Sequence, residues 1–138
     1  MTVQEEYPNP PATLEQVITH MEATDESSWC VDVVRTAGDG RNCFFGHLFN
    51  MGADDQEGSR IWEWFESSWM TTYVMYPIND GTHHRYPQPT PKQRCLAALY
   101  ALSDGTEETT WQGMERDYLA HEAAEREASV VLERSLPQ

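Results

Sequence analysis

Between two amphipathic segments the chain reads Thr71-Thr72-Tyr73-Val74-Met75-Tyr76-Pro77-Ile78, followed by Asn79-Asp80-Gly81. Whether the protein contains a sheet turns on these residues. They are rich in β-branched and aromatic side chains, and Tyr73, Met75 and Pro77 alternate with Val74, Tyr76 and Ile78. That pattern predicts a strand, with Pro77 at its end or on a sheet edge, where a missing N–H is tolerated. Trp29 to Val34 supplies a second strand, with Trp29, Val31 and Val33 on one face and Asp32 interrupting. The expected fold class is therefore α+β: four to five helices around a small two- or three-stranded sheet, in a single domain.

The helices read outward from this pair of strands. Thr13 and Gln16 form a capping box ahead of an apolar stripe of Leu14, Val17, Ile18 and Met21, predicting a helix from about Leu14 to Ala23. Gly38-Asp39-Gly40 marks a turn, and Cys43 to Met51 is apolar on two sides, predicting a buried helix that ends at Gly52 in a left-handed C′ conformation. Gln56 to Trp69 forms a third helix whose inward face is Ile61, Trp62, Phe65 and Trp69; Trp64 is less well placed and points to an exposed or interfacial position. Thr90-Pro91-Lys92-Gln93 caps a helix that buries Cys95, Leu96, Leu99 and Leu102 and stops at Gly105. Thr110 to Arg134 is a last helix, Ala/Glu/Arg-rich with a thin apolar face, able to dock weakly, project, or pair with another chain. The organisation expected is an extended acidic lead over 1–12, a core domain over 13–105 and an acidic C-terminal helix over 106–138.

The 138 residues carry 23 acids and 9 bases, a formal net charge of −14. Such a balance disfavours direct contact with nucleic-acid phosphates or anionic membranes. The charge is unevenly placed: residues 1–26 hold six acids and no base, 27–102 are nearly balanced, and 103–138 hold nine acids and three bases. The bland reading of these flanks is a solvated, solubilising surface; the sharper one is a surface that meets a basic partner. No apolar run approaches the ~20 residues of a spanning helix, and the first residues lack the basic start and apolar core of a signal peptide, so the expected compartment is the cytoplasm. Cys30, Cys43 and Cys95 are too few and scattered for a disulfide framework and read as reduced thiols.

Three groups of residues could carry chemistry. Cys43 opens a helix after Asp39-Gly40-Arg41-Asn42, where unsatisfied N–H groups and the helix dipole favour a thiolate. This segment resembles the nucleophile region of papain-like cysteine hydrolases of the ovarian-tumour type, with two residues rather than one between the Gly and the Cys. The resemblance implies a catalytic base, His83 or His84, oriented by Asp80 or Asn79. Cys43 and His47, four apart on one helix face, could also contribute two metal ligands beside His83 or His84; without a second Cys/His pair at ligand spacing, neither a metal nor any other cofactor is expected. Asn79-Asp80-Gly81-Thr82-His83-His84-Arg85-Tyr86 reads first as a turn and second as a polar recognition loop, with Asn79, Asp80, Arg85 and Tyr86, and Trp64 elsewhere, as candidate binding residues.

The order of features also resembles a family of small actinobacterial and actinophage proteins with no assigned activity. An amphipathic helix leads to Trp29-Cys30, an Asp-Gly turn, a helix with Cys43, Gly46 and Leu48, a strand ending in Asn79-Asp80, and a Thr90-capped helix with Leu96, Ala98 and Leu99, over about residues 13–103. The resemblance implies a helix-rich α+β domain of phage or actinobacterial source. The family usually has Ala where this chain has His47. The leading expectation is a non-enzymatic cytoplasmic protein that binds another protein, its acidic flanks aiding recognition, with a possible homo-oligomer through the C-terminal helix. The alternatives are the cysteine hydrolase and an acidic mimic of nucleic acid.

Overall fold

The computed structural model describes residues 10–69, 72–104 and 111–135, and within them the protein is helical. The elements are α1 (Leu14–Ala23), a 3-10 turn (Glu26–Ser28), α2 (Phe44–Phe49), α3 (Asp55–Trp69), α4 (Thr72–Asp80), α5 (Pro91–Asp104) and α6 (Trp111–Ser135). The expected lead over residues 1–9, the strand start at Thr71, the helix stop at Gly105 and the inward place of the Trp69 side chain lie outside the described residues.

Among the described residues there is no strand and no sheet, which corrects the α+β expectation. The first expected strand is α4. Val74, Met75, Ile78 and Asn79 are buried, whereas Tyr76 and Pro77 between them are only half-buried. Burial at i, i+1, i+4 and i+5 is the helical period, not the alternation of a pleat. β-Branched and aromatic residues suit a half-buried pleated surface, but that preference is weak beside the burial of a whole apolar face. Pro77 sits inside the helix and withdraws the N–H that the carbonyl of Tyr73 would otherwise receive.

The second expected strand, Trp29 to Val34, is an irregular segment. Trp29 and Cys30 are buried, but Val31 and Val33 are exposed, so the expected face does not exist. Asp32 breaks the alternation with φ +69°, a left-handed conformation that Asp tolerates better than most residues. Among the described residues the segment makes only isolated bridges, from Trp29 and Arg35 to Asn42. Cys30 N–H donates to the Asn42 carbonyl (2.9 Å), Asn42 N–H to that of Ser28 (2.8 Å) and Cys43 N–H to that of Val34 (2.9 Å). The loop so formed lies against α2 at Gly46, where a Cβ would approach the Val34 carbonyl oxygen to 2.6 Å.

α2 is the centre of the packing and touches α1, α3, α4 and α5. Phe44, Phe45 and Leu48 are fully buried, and a helix apolar on two sides belongs inside. Phe44 packs on Phe65 (centroids 5.1 Å apart), and Phe45 on Trp62 (5.2 Å) and Tyr76 (4.8 Å). Burying each Phe contributes about 1.5–3 kcal/mol of transfer free energy. α2 ends through Asn50, and Gly52 is not left-handed as expected; its role is close approach, since a Cβ there would run into the backbone of Gly58 on α3.

The capped helices form where the sequence places them. Thr13 and Gln16 make both bonds of their box (3.1 and 2.8 Å), and Thr90 Oγ1 accepts from Gln93 N–H (3.2 Å). α3 buries Ile61, Trp64 and Phe65, so Trp64 belongs to the core rather than to a binding surface, and Trp62 takes the half-buried place. α6 docks by its first turns, where Gly113 and Met114 are buried; from Leu119 to Val130 it is exposed, with Glu122 alone partly covered. Among the described residues, no helix is long and apolar enough to cross a membrane.

Candidate functional site

The C-terminal end of α4 is densely bonded. Gly81 takes φ +86°, which lets the chain fold back so that Gly81 and Thr82 N–H both reach the Pro77 carbonyl (3.0 and 2.9 Å). The next carbonyls are taken by Arg94 of α5, which is 7% exposed. Its Nε donates to Ile78 O (2.9 Å), its Nη2 to Asn79 O (2.7 Å) and its Nη1 to Gln88 O (2.8 Å). A buried guanidinium at a helix C-terminus is matched by the dipole as well as by the three acceptors.

Asn79 is 1% exposed and ties three segments together. Its Oδ1 accepts from Phe44 N–H at the start of α2 (2.9 Å), and its Nδ2 donates to the Cys30 carbonyl (2.9 Å) and to Asp80 Oδ1 (3.1 Å). Asp80 Oδ1 also accepts from Asp32 N–H (2.9 Å), which holds the left-handed residue of the loop. Asn79 and Asp80, expected to bond their own turn or a ligand, instead join α4 to α2 and to the loop before it.

Cys43 stands at the N-cap of α2 and is 2% exposed. Burial pushes its thiol above the ordinary value; the N–H groups of Gly46 and Phe45 pull the other way and are outweighed. The expected dipole-activated thiolate is thus reversed by burial. Burial also raises Cys30 and, most strongly, Cys95, whose Sγ lies 3.7 Å from Asn79 Oδ1. His47, on the same helix, engages Ser28 and Trp29. Its Nε2 meets the Ser28 carbonyl (3.1 Å), its ring packs on Trp29 (4.5 Å), and burial lowers its pKa to about 4. Among the described residues, no group of three His, Cys, Asp or Glu side chains could hold a metal ion.

His83 and His84 face α6. His83 is 1% exposed, with both ring nitrogens engaged: Nδ1 accepts from Arg85 N–H (3.2 Å) and Nε2 lies 3.3 Å from the Met114 carbonyl. A carbonyl accepts, so Nε2 carries the hydrogen and the ring is the neutral Nε2–H tautomer. Burial lowers its pKa; the Met114 carbonyl, which favours the charged ring, and more weakly Asp117 oppose this and are outweighed. The rings form a ladder: His83 stacks on His84 (5.2 Å) and on Tyr118 (5.1 Å), and His84 on His121 (4.0 Å). Tyr86, 7% exposed, meets the edge of His83 (5.1 Å). Asp117 pairs with His84 Nε2 (2.9 Å) and Arg85 Nε (3.5 Å), beside an open groove of about 470 Å³ lined by Arg85, Gly113, Arg116, Asp117 and Ala120.

The candidate residues therefore fall into two groups. Cys43, Asn79 and Asp80 belong to the junction of α4, α2 and the loop, whereas His83, His84, Arg85 and Tyr86 belong to the docking surface of α6. No hydrogen bond or ring contact among the described residues joins Cys43 to either histidine. Arg94, Asp117, Tyr118 and His121 escaped the reading of the sequence. The signals for them were a charged residue beside the apolar stripe of α5, and an Asp and a His four apart on one face of α6. Comparison of the chain with protein-family models, curated proteins and solved structures returns no match.

Proposed function

We propose that this chain is a non-enzymatic cytoplasmic protein that acts by binding another protein, and that it comes from an actinobacterium or its phage. The free half of α6 carries the reading. Past Tyr118 this helix leaves the core, and Leu119 and Val130, eleven residues and three turns apart on one face, are 46% and 43% exposed. Most helices in proteins owe their stability to packing of an apolar face, and among the described residues Leu119 and Val130 are left largely uncovered. Ala123 and Arg126 lie between Leu119 and Val130 on this face, with Glu122 and Glu127 at its sides, which suits a partner with an apolar stripe and a basic rim. The resemblance over residues 13–103 supports the source, and the spent ring nitrogens of His83 favour binding over hydrolysis.

A photo-crosslinking residue at position 119 or 130 tests this in host lysate, followed by reconstitution with the purified partner. The expected outcome is one crosslinked protein that binds in a fixed ratio and is lost in Leu119→Asp and Val130→Asp, while the helical content is kept. Crosslinking to a second copy would redirect the reading to a homo-oligomer. Binding unaffected by both substitutions would overturn it.

A further inference from the structure

Where the end of α2 lies against α3, a groove of about 250 Å³ opens between Phe49, Ser59, Trp62, Glu63 and Glu66. Two of its walls are aromatic and two are carboxylates. We propose that this groove is a docking site for an arginine side chain presented by a protein partner, its guanidinium seated on Trp62 and beside the Glu63 carboxylate.

The sequence builds the groove from one helix face and one ring. Ser59, Trp62, Glu63 and Glu66 recur at i, i+3, i+4 and i+7 of α3, so they share a face, beside the one that buries Ile61 and Phe65. Phe49 reaches this face because residue 58 is glycine: a Cβ there would stand 2.5 Å from the Phe49 carbonyl oxygen and 3.2 Å from its ring. Trp62 is held by Phe45, stacked at 5.2 Å, and by Phe49, edge-on at 6.3 Å. It is nonetheless only half-buried, and part of the indole is open to the groove.

This lining selects a cation with a flat head and an apolar stem. The two rings accept methylenes, and the face of an indole attracts a cation through its quadrupole. Glu63 is exposed, and among the described residues no ion pair joins it to a base, although Arg60 stands three residues before it. The acids at the start of α3 are engaged differently: Glu57 Oε2 accepts from Ala53 N–H (3.1 Å) and Asp54 Oδ1 from Glu57 N–H (2.8 Å). Exposed carboxylates alone hold a cation weakly, so the aromatic wall sets this place apart from the other acidic surfaces. A guanidinium can lie flat on a ring while its edge donates to a carboxylate, which an ammonium cannot do. The net charge of −14 adds a long-range attraction for the basic segment that carries the arginine. The proposal rests on α2 and α3 and holds whether or not the free half of α6 meets the same partner.

Titration of the full chain with the peptide acetyl-Gly-Arg-Gly-amide, followed by ¹H–¹⁵N correlation spectra, reads this at the Trp62 indole N–H and the amides of residues 59–66. Saturable shifts centred there are expected, with a Kd on the order of 1 mM for so small a probe. Citrulline in place of the arginine is planar but neutral, and lysine is charged but not planar; each should weaken binding about five-fold or more. Glu63→Gln, a change on an exposed position, should weaken the arginine peptide about as much while the remaining resonances stay in place. Shifts as large at Glu122, Glu125 and Glu127 as at the groove would reduce the effect to diffuse charge and overturn the site. Equal binding of the citrulline or lysine peptide, wild-type affinity in Glu63→Gln, or no saturable shift at Trp62 would overturn it as well.

Discussion

Replacing Asn79 by Ala removes the bonds that close α4 onto α2. The Phe44 N–H and the Cys30 carbonyl, each 2.9 Å from the amide, are left in an interior where Asn79 itself is 1% exposed. A buried polar group left unsatisfied costs about 1–3 kcal/mol, and the vacated volume adds to this, so the loss should be about 3–5 kcal/mol. That is a large fraction of the roughly 5–15 kcal/mol by which domains of this size are stable. Urea unfolding followed by far-UV circular dichroism measures it as a shift in midpoint at constant slope. Asn50→Ala is the control: Asn50 is exposed and accepts one bond from Arg35 Nη2 (2.8 Å), so the loss should stay below about 1 kcal/mol. Asn79→Asp adds a sign test. Its carboxylate would still accept from Phe44 N–H but would face the Cys30 carbonyl with a second acceptor. Burial should raise its pKa in the fold, so its deficit against wild type should shrink as the pH is lowered from 7 to 4. An Asn79→Ala loss under 1 kcal/mol would refute the account of this junction.

Three further outcomes follow from the same geometry. Gly81→Ala should lose about 1–2 kcal/mol by the same assay, because φ is +86° and the new Cβ would stand 3.2 Å from the Arg94 guanidinium carbon. His47, lowered to about 4 by burial, contributes stability that is complete above pH 6.5 and declines as the pH falls from 6.5 to 4, by up to about 3 kcal/mol. The acid limb of the stability profile should therefore flatten in His47→Gln. Cys30, Cys43 and Cys95, all raised by burial, should react with iodoacetamide at pH 8 only as fast as the chain opens; rapid selective labelling of Cys43 would restore its candidacy as a nucleophile.

The helix starts were legible because caps are local. Thr13 with Gln16 makes both bonds of its box, and Thr90 accepts from Gln93 N–H, each between residues three apart. The fold class was not legible, because the composition of Thr71 to Ile78 favours a pleat while its surroundings demand a helix. Asn79-Asp80-Gly81 is a helix-stop signal as much as a turn, and reading it so would have let α4 run up to it. The site was legible as a set of residues but not as an arrangement. Asn79 was singled out, yet its partners Phe44 and Cys30 lie 35 and 49 residues away, a separation no local pattern reports. Trp64 was misplaced because local spacing does not say which of Trp62 and Trp64 is covered: Trp62 meets Phe45 and Phe49 of α2 and stays half-buried, while Trp64 is 1% exposed.

The Arg94 clamp has a consequence for how this sequence can drift. Its acceptors are the main-chain oxygens of Ile78, Asn79 and Gln88, which every amino acid supplies. Positions 78 and 88 are thus free of the clamp as regards side-chain identity, and substitutions there need no compensating change at 94. Position 94 has no such freedom, since Lys offers no planar fork to reach three carbonyls at once. In distant descendants the clamp would persist as a solitary arginine with no covarying partner.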